Sequence, residues 1–366
     1  MNLKLVFVCF SLILLLIDRH LVFAESLYLR LFAIFLIFTA ALLDNFHISR
    51  RSFLLVFIGT IILFLTPFRQ DINPIEMIHA LILIIALPIC LNAAPNDKQN
   101  FNKFICLMIF SLCSIGFLAG YNFSDPSLGD SLRSSRLTLG FDKPSTLSMI
   151  SFVFWLAFFN IKFSTNLNFY LKAFVFFLVI TIQVLSGSRA GLGCMFISCY
   201  FIWEQSDLVK TRNSLKLLSR IVFTILLIVL ISDLNVERFN SLSSGRLFIW
   251  INEISQNLTS FSSFIFGNLN PDKVFNYFAE TDSIIYHIDS FFVERFIVSG
   301  LIGLMVLIFL IQDFRKHINS IGNCFIYGLI FYAVWETDVF NLTSFTSLAP
   351  LLLIATNYRE QKKVQS

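Results

Sequence analysis

Apolar stretches close to the length of a membrane span, about 20 helical residues, follow one another along most of the chain, separated by short polar turns. Runs such as "IVFTILLIVLI" are continuous. A transmembrane barrel needs alternating segments of roughly ten residues instead. The pattern predicts twelve helices, at roughly 3–17, 28–43, 52–67, 75–92, 104–121, 145–161, 168–186, 189–203, 219–232, 296–312, 321–335 and 342–356. The fold class is therefore all-α: a polytopic integral membrane protein with about twelve transmembrane helices and one membrane domain over 1–366. Two polar segments are long, 122–144 and, between spans nine and ten, 233–295. No internal repeat or low-complexity segment is visible. The opening "MNLKLVFVCFSLILLLIDRH" has one lysine ahead of a 13-residue apolar run. That fits a cleaved signal peptide or an uncleaved first span, and the topology below favours the span.

Composition agrees. The chain is 57% hydrophobic and 14% charged with a mean hydropathy of +0.78, against about 45–50% and about 25% in soluble domains. No basic block with interleaved aromatics supports nucleic-acid binding. Cys9, Cys90, Cys106, Cys113, Cys194, Cys199 and Cys324 all fall inside predicted spans, where a thiol acts as a small hydrophobe. Without CxxC or metal spacing, neither a disulfide framework nor a metal site is expected, and no cofactor is implied.

Lysine and arginine set the orientation. Twelve spans put both termini on one side, whose loops hold sixteen of the 27 cations. That richer side is cytoplasmic, so 122–144 and 233–295 face outward. The kinds of cation differ more than their totals: ten Lys and six Arg inside, two Lys and nine Arg outside. Topology is indifferent to that choice. Arginine grips phosphate or carboxylate with a planar fork, so the outer face reads as an anion-handling surface.

Three stretches carry candidate chemistry. "LSGSRAG" at 185–191 interrupts two very apolar runs and places Arg189 at the outward start of the eighth span. A helix N-terminus is already positive, so a cation there is unfavourable unless an anion binds; the bland alternative is an arginine snorkelling to the interface. "RSSRLTLGFDKPSTLSM" clusters Arg133, Arg136 and Lys143 before Pro144, a helix start. Arg136 suits a phosphate or headgroup contact; a solvated basic loop is the alternative. In the long loop, "SLSSGRLFIWINEISQNL" has Leu247, Trp250, Ile251, Ile254 and Leu258 on one helical stripe. That pattern predicts an interfacial helix, with Trp250 at the membrane interface and Arg246 in the first turn. "YHIDSFFVERFIV" then sets His287, Asp289, Glu294 and Arg295 just outside the tenth span. His287 is a candidate general base because its pKa lies near ambient pH. Asp289 is the rival, weakened as a base beside cations. Charges at mid-membrane depth, expected of an ion-driven transporter, are scarce.

These stretches resemble the superfamily of O-antigen polymerases (Wzy-type) and O-antigen ligases. The likeness rests on "SGSRAG" heading a span, "SGRLFIW" early in a long outer loop and "HIDSFFVERFIVSGLIGL" leading into a glycine-containing span, in that order. "RLTLGFDKPSTLS" is similar to that family's segment between two earlier spans. The resemblance implies a metal-independent glycosyltransferase in the bacterial inner membrane that uses undecaprenyl-pyrophosphate-linked oligosaccharide at the periplasmic face. Arg189 and Arg246 would hold the donor pyrophosphate and His287 would help activate the acceptor hydroxyl. Arg133, Arg136, Arg295 and Asp289 would contact substrate. Membrane lipids and a chain-length regulator are the other expected partners. Ile288 follows the histidine where ligases commonly have asparagine, which favours polymerase over ligase. A lipid-linked oligosaccharide flippase and a non-catalytic assembly partner are the competing classes.

Overall fold

The computed structural model describes residues 3–20, 26–43, 46, 48–65, 74–121, 123, 136–161, 168–205, 250–251, 254–255, 258, 260–267, 290–337 and 339–365. Their regular structure is helical, apart from two isolated antiparallel bridges, His20 with Phe141 and Phe123 with Leu137. The helices are α1 (Leu3–Ile17), α2 (Leu27–Leu42), α3 (Arg50–Leu65), α4 (Pro74–Ala93), α5 (Lys98–Leu118), α6 (Pro144–Phe159), α7 (Asn168–Leu185), α8 (Arg189–Glu204), α9 (Phe261–Phe266), α10 (Phe291–Lys316), α11 (Ser320–Trp335) and α12 (Phe345–Gln365). Eleven of the twelve predicted spans coincide with a helix; the ninth, 219–232, lies outside the described residues.

Length qualifies the expectation of full spans. Among the described residues, α5 and α10 alone are both long and apolar enough to cross a bilayer. A 16-residue helix such as α6 rises about 24 Å, short of a hydrocarbon core of about 30 Å. Polar residues close several helices early. Side chains of Asp97, Ser188, Ser290 and Asn319 each accept a hydrogen bond from a first-turn N–H of α5, α8, α10 and α11. Glu294 and Arg295, expected just outside a span, therefore lie in the first turn of α10.

Among the described side chains, those of α6 and of α12 up to Thr356 are mostly buried and form the centre. In α6, Leu147, Met149, Ile150, Phe152, Val153 and Leu156 are almost wholly covered; in α12, so are Phe345, Leu348 and 351–355. Hydrophobicity all round a helix, with no polar face, is what a central position requires. The peripheral helices turn apolar side chains outward instead. Phe35 of α2, Phe53 of α3, Phe110 of α5 and Phe174 of α7 are 60–66% exposed. Monomeric soluble proteins rarely show contiguous apolar patches beyond a few hundred Å².

Small residues let α8 cross α11 closely. A Cβ on Gly328 would lie 2.6 Å from the Cys194 carbonyl oxygen and closer still to Ser198 Oγ. A Cβ on Gly193 would run into the Phe331 ring, and one on Gly191 into Ser148 Oγ of α6. The glycines of "SRAGLG" are thus contact points that seat α8 against α6 and α11, in the manner of small-residue packing between membrane helices.

Helix α10 is broken. Gly300 has φ 65° and ψ −169°, and a Cβ there would collide with Gly267 N and the Ile265 carbonyl. The short α9 presses its end into the break. Trp250, expected at the membrane interface, is buried against Ile297, with its ring centroid 5.5 Å from that of Trp335. The indole covers α10 and α11, and its N–H is buried with no hydrogen-bond partner among the described residues.

At the opposite end of α10, Asp313 accepts hydrogen bonds from Ser49 Oγ and Ser52 Oγ, both at 2.5 Å, and so ties the start of α3 to the end of α10. Asp313→Ala leaves two hydroxyls without their acceptor. It is expected to cost about 1–3 kcal/mol, read as a lower thermal midpoint of the detergent-purified protein, with Asp313→Asn losing less.

Candidate functional site

The segment 136–143 is built onto the ends of α1, α5 and α7. Leu137 N donates to the Leu185 carbonyl at 3.1 Å, and Gly140 N to the Tyr121 carbonyl at 2.7 Å. The chain turns through Leu139 (φ 48°) and Gly140 (φ 88°). Positive φ in a leucine is strained, and the contacts holding it are close. Gly116 has no side chain and so leaves room for the Leu139 carbonyl, and a Cβ on Gly140 would lie 2.5 Å from His20 Nε2. His20 is buried, edge-on to Phe141 at 5.1 Å, with Nε2 3.2 Å from the Leu112 carbonyl. The buried ring is part of the framework beneath the segment.

Burial lowers the His20 pKa from 6.5, against hydrogen bonds to the Leu112 and Leu139 carbonyls that raise it. The folded protein therefore resists a proton that the unfolded chain accepts below that value. This contribution to stability is complete above pH 6.5 and falls away at lower pH. The thermal midpoint is expected to drop between pH 7 and pH 5 (about one to two units around the ordinary imidazole value). In His20→Gln that drop should be smaller; an equal drop in both proteins assigns it to other groups.

On this frame Arg136 reaches the turn before α8. A Cβ added to Gly187 would lie 3.1 Å from Arg136 Nε and 3.4 Å from its Cζ. The guanidinium thus lies against bare backbone that only glycine offers, at a residue whose φ of 65° also favours glycine. Ser188 caps α8 by accepting from Gly191 N at 3.3 Å. Arg189 follows as the first helical residue, exposed at the rim. Arg136, from a distant segment, thus packs on Gly187, two residues before Arg189 at the start of α8. Arg133, Arg246, His287 and Asp289 lie outside the described residues.

Arg295 goes elsewhere. It lines a cavity of about 280 Å³ to which neither Arg136 nor Arg189 contributes. The walls come from the residues after α1 (Arg19), from the starts of α6 (Lys143, Thr146), α10 (Glu294, Arg295) and α12 (Thr343, Thr346), and from the end of α11 (Tyr332, Glu336). Arg295 forms an ion pair with Glu294 and stands 5.7 Å from the Phe291 ring centroid. Arg19 Nη1 is 3.0 Å from Asp142 Oδ2. Phe291 N donates to the Glu336 carbonyl at 3.2 Å, which ties the start of α10 to the end of α11. Sequence reading missed Arg19 and Glu336. The excess of arginine in outer loops marked the face they share, but nothing local marked their partners. No protein-family model matches the chain, and no curated protein matches it.

Proposed function

We propose that the chain is a polytopic bacterial inner-membrane glycosyltransferase, an O-antigen repeat-unit polymerase, with both termini cytoplasmic and its site on the periplasmic face. The membrane reading is supported by the outward-turned phenylalanines of α2, α3, α5 and α7 and by the two helices of membrane length. The observation that carries the enzymatic reading is the packing of Arg136 on Gly187, in the turn that leads to Arg189 at the start of α8. Two forks at a helix N-terminus suit a diphosphate, because the unpaired N–H groups add to their field.

In the proposed reaction the donor is a glycan on undecaprenyl pyrophosphate. The acceptor is a second lipid-linked repeat unit. The acceptor hydroxyl oxygen bonds to the anomeric carbon as the bond from that carbon to the pyrophosphate oxygen breaks. The hydroxyl proton passes to His287, or to Asp289 as the rival base. The leaving pyrophosphate gathers negative charge, which Arg189 and Arg246 stabilise, with Arg136 and Arg133 as further substrate contacts. Each preorganised donor at such a point is worth about 2.7–4 kcal/mol, and a matched base contributes about 10²–10⁴-fold.

Deletion of the gene, with the surface polysaccharide resolved on a gel, tests the reading. A single-repeat pattern restored to a ladder by the wild-type gene is expected. Loss of all attached polymer, with lipid-linked polymer accumulating, would make the chain a ligase. An unchanged ladder would remove the enzyme.

A further inference from the structure

The cavity holding Arg295 is chemically unlike the Arg136–Arg189 turn. Its cations, Arg19, Lys143 and Arg295, are met by Glu294 and Glu336 in the wall and by Asp142 paired to Arg19. Among the described residues the side chains therefore balance. What tips the field is the backbone: three helix N-termini (α6, α10, α12) open here against one C-terminus (α11). At about half an elementary charge per end, roughly one positive charge is left over. That is enough for a single carboxylate. A pyrophosphate, with two or more charges, would face two glutamates at close range.

The rest of the wall points the same way. Hydroxyls of Ser145, Thr146, Thr337, Thr343 and Thr346 and the amide of Asn341 line the space. Such groups, with two carboxylates, donate to and accept from a ring of sugar hydroxyls. Phe291 and Tyr332 add apolar faces. A volume of about 280 Å³ lies near the lower limit of small-molecule sites, about 300 Å³, and suits one or two sugar rings. Arg295 also keeps a buried Nε–H with no hydrogen-bond partner among the described residues.

We infer that this cavity binds a carboxylate-bearing sugar, a uronic acid or its equivalent, through Lys143 and Arg295. Assigning that sugar to the lipid-linked acceptor rests on the polymerase reading; the binding itself does not.

The full-length protein in nanodiscs is titrated with D-glucuronate, D-glucose, inorganic phosphate and glycerol 3-phosphate. Binding is followed by calorimetry and by tryptophan emission, since Trp335 adjoins Glu336 of the cavity wall. Saturable glucuronate binding is expected, about tenfold or more tighter than glucose, equal to about 1.4 kcal/mol. Lys143→Gln, at an exposed position that holds no side-chain cap, should weaken it by a similar factor, as should Arg295→Gln. The inference is overturned if glucose binds as well as glucuronate, if phosphate or glycerol 3-phosphate binds more tightly than glucuronate, or if Lys143→Gln leaves binding unchanged. None of these outcomes bears on the gel phenotype of the gene deletion or of Arg189 variants, so the two readings fail separately.

Discussion

Arg189→Ala and Arg136→Ala are each expected to abolish long polysaccharide chains while the protein still inserts and purifies in normal amount. The measurement is the ladder of surface polysaccharide in a deletion strain complemented with each variant. The expected loss is large because, in the proposed reaction, the two guanidiniums act on charge that develops only as the donor bond breaks. Removing one such donor typically slows the chemical step about 10²–10³-fold. Arg189→Lys keeps the charge but not the fork, and should leave a short, weak ladder. Arg246→Ala should match Arg189→Ala, and His287→Ala should reduce activity strongly. Normal ladders in Arg189→Ala and Arg246→Ala would remove the arginines from the mechanism. Full activity in His287→Ala would move the base to Asp289 or elsewhere.

The second large effect concerns stability. Gly328→Ala places a methyl group 2.6 Å from the Cys194 carbonyl oxygen. A carbonyl in a helix cannot move aside as a side-chain tip can, so α8 and α11 must separate. Overpacking of this kind costs about 1–3 kcal/mol. The variant should purify in lower yield, with a lower thermal midpoint in detergent. Because α8 carries Arg189 on its first turn, shifting the helix should also shorten the ladder. Ser198→Gly in the same background should recover part of the stability but not all, since the backbone clash remains. An unchanged midpoint would mean that the two helices do not cross at this glycine.

Most of the helices were legible because burial in a bundle leaves a local record. Continuous apolar runs mark them, and Pro144 marks the start of α6. The break in α10 was not legible. Gly300 sits in "FIVSGLIGLM", where a glycine looks the same whether it packs, bends or merely fills. Its conformation is set by Gly267, a partner that hydropathy cannot indicate. The packing partner of Trp250 was not legible for the same reason: an indole suits an interface and a cover over α10 equally well. Of the site, Arg189 was legible because a cation at a helix start is anomalous, and Arg136 because it clusters with Arg133 and Lys143 in the sequence. The packing of Arg136 on Gly187 was not. The cavity was not legible as a whole, since five separate chain segments supply its walls. Each contributes ordinary end-of-helix residues, and only their convergence makes a binding surface.

The mutual contact of Gly267 and Gly300 joins the outer segment to the bundle at a point without side chains. Neither residue can accept a larger replacement unless the other gives way, so the pair should drift through evolution together. It also makes the upper part of α10, from Phe291 to Ser299, an arm whose tilt is registered by α9. Whatever pulls on that short helix from outside would be transmitted as a lever to Glu294 and Arg295.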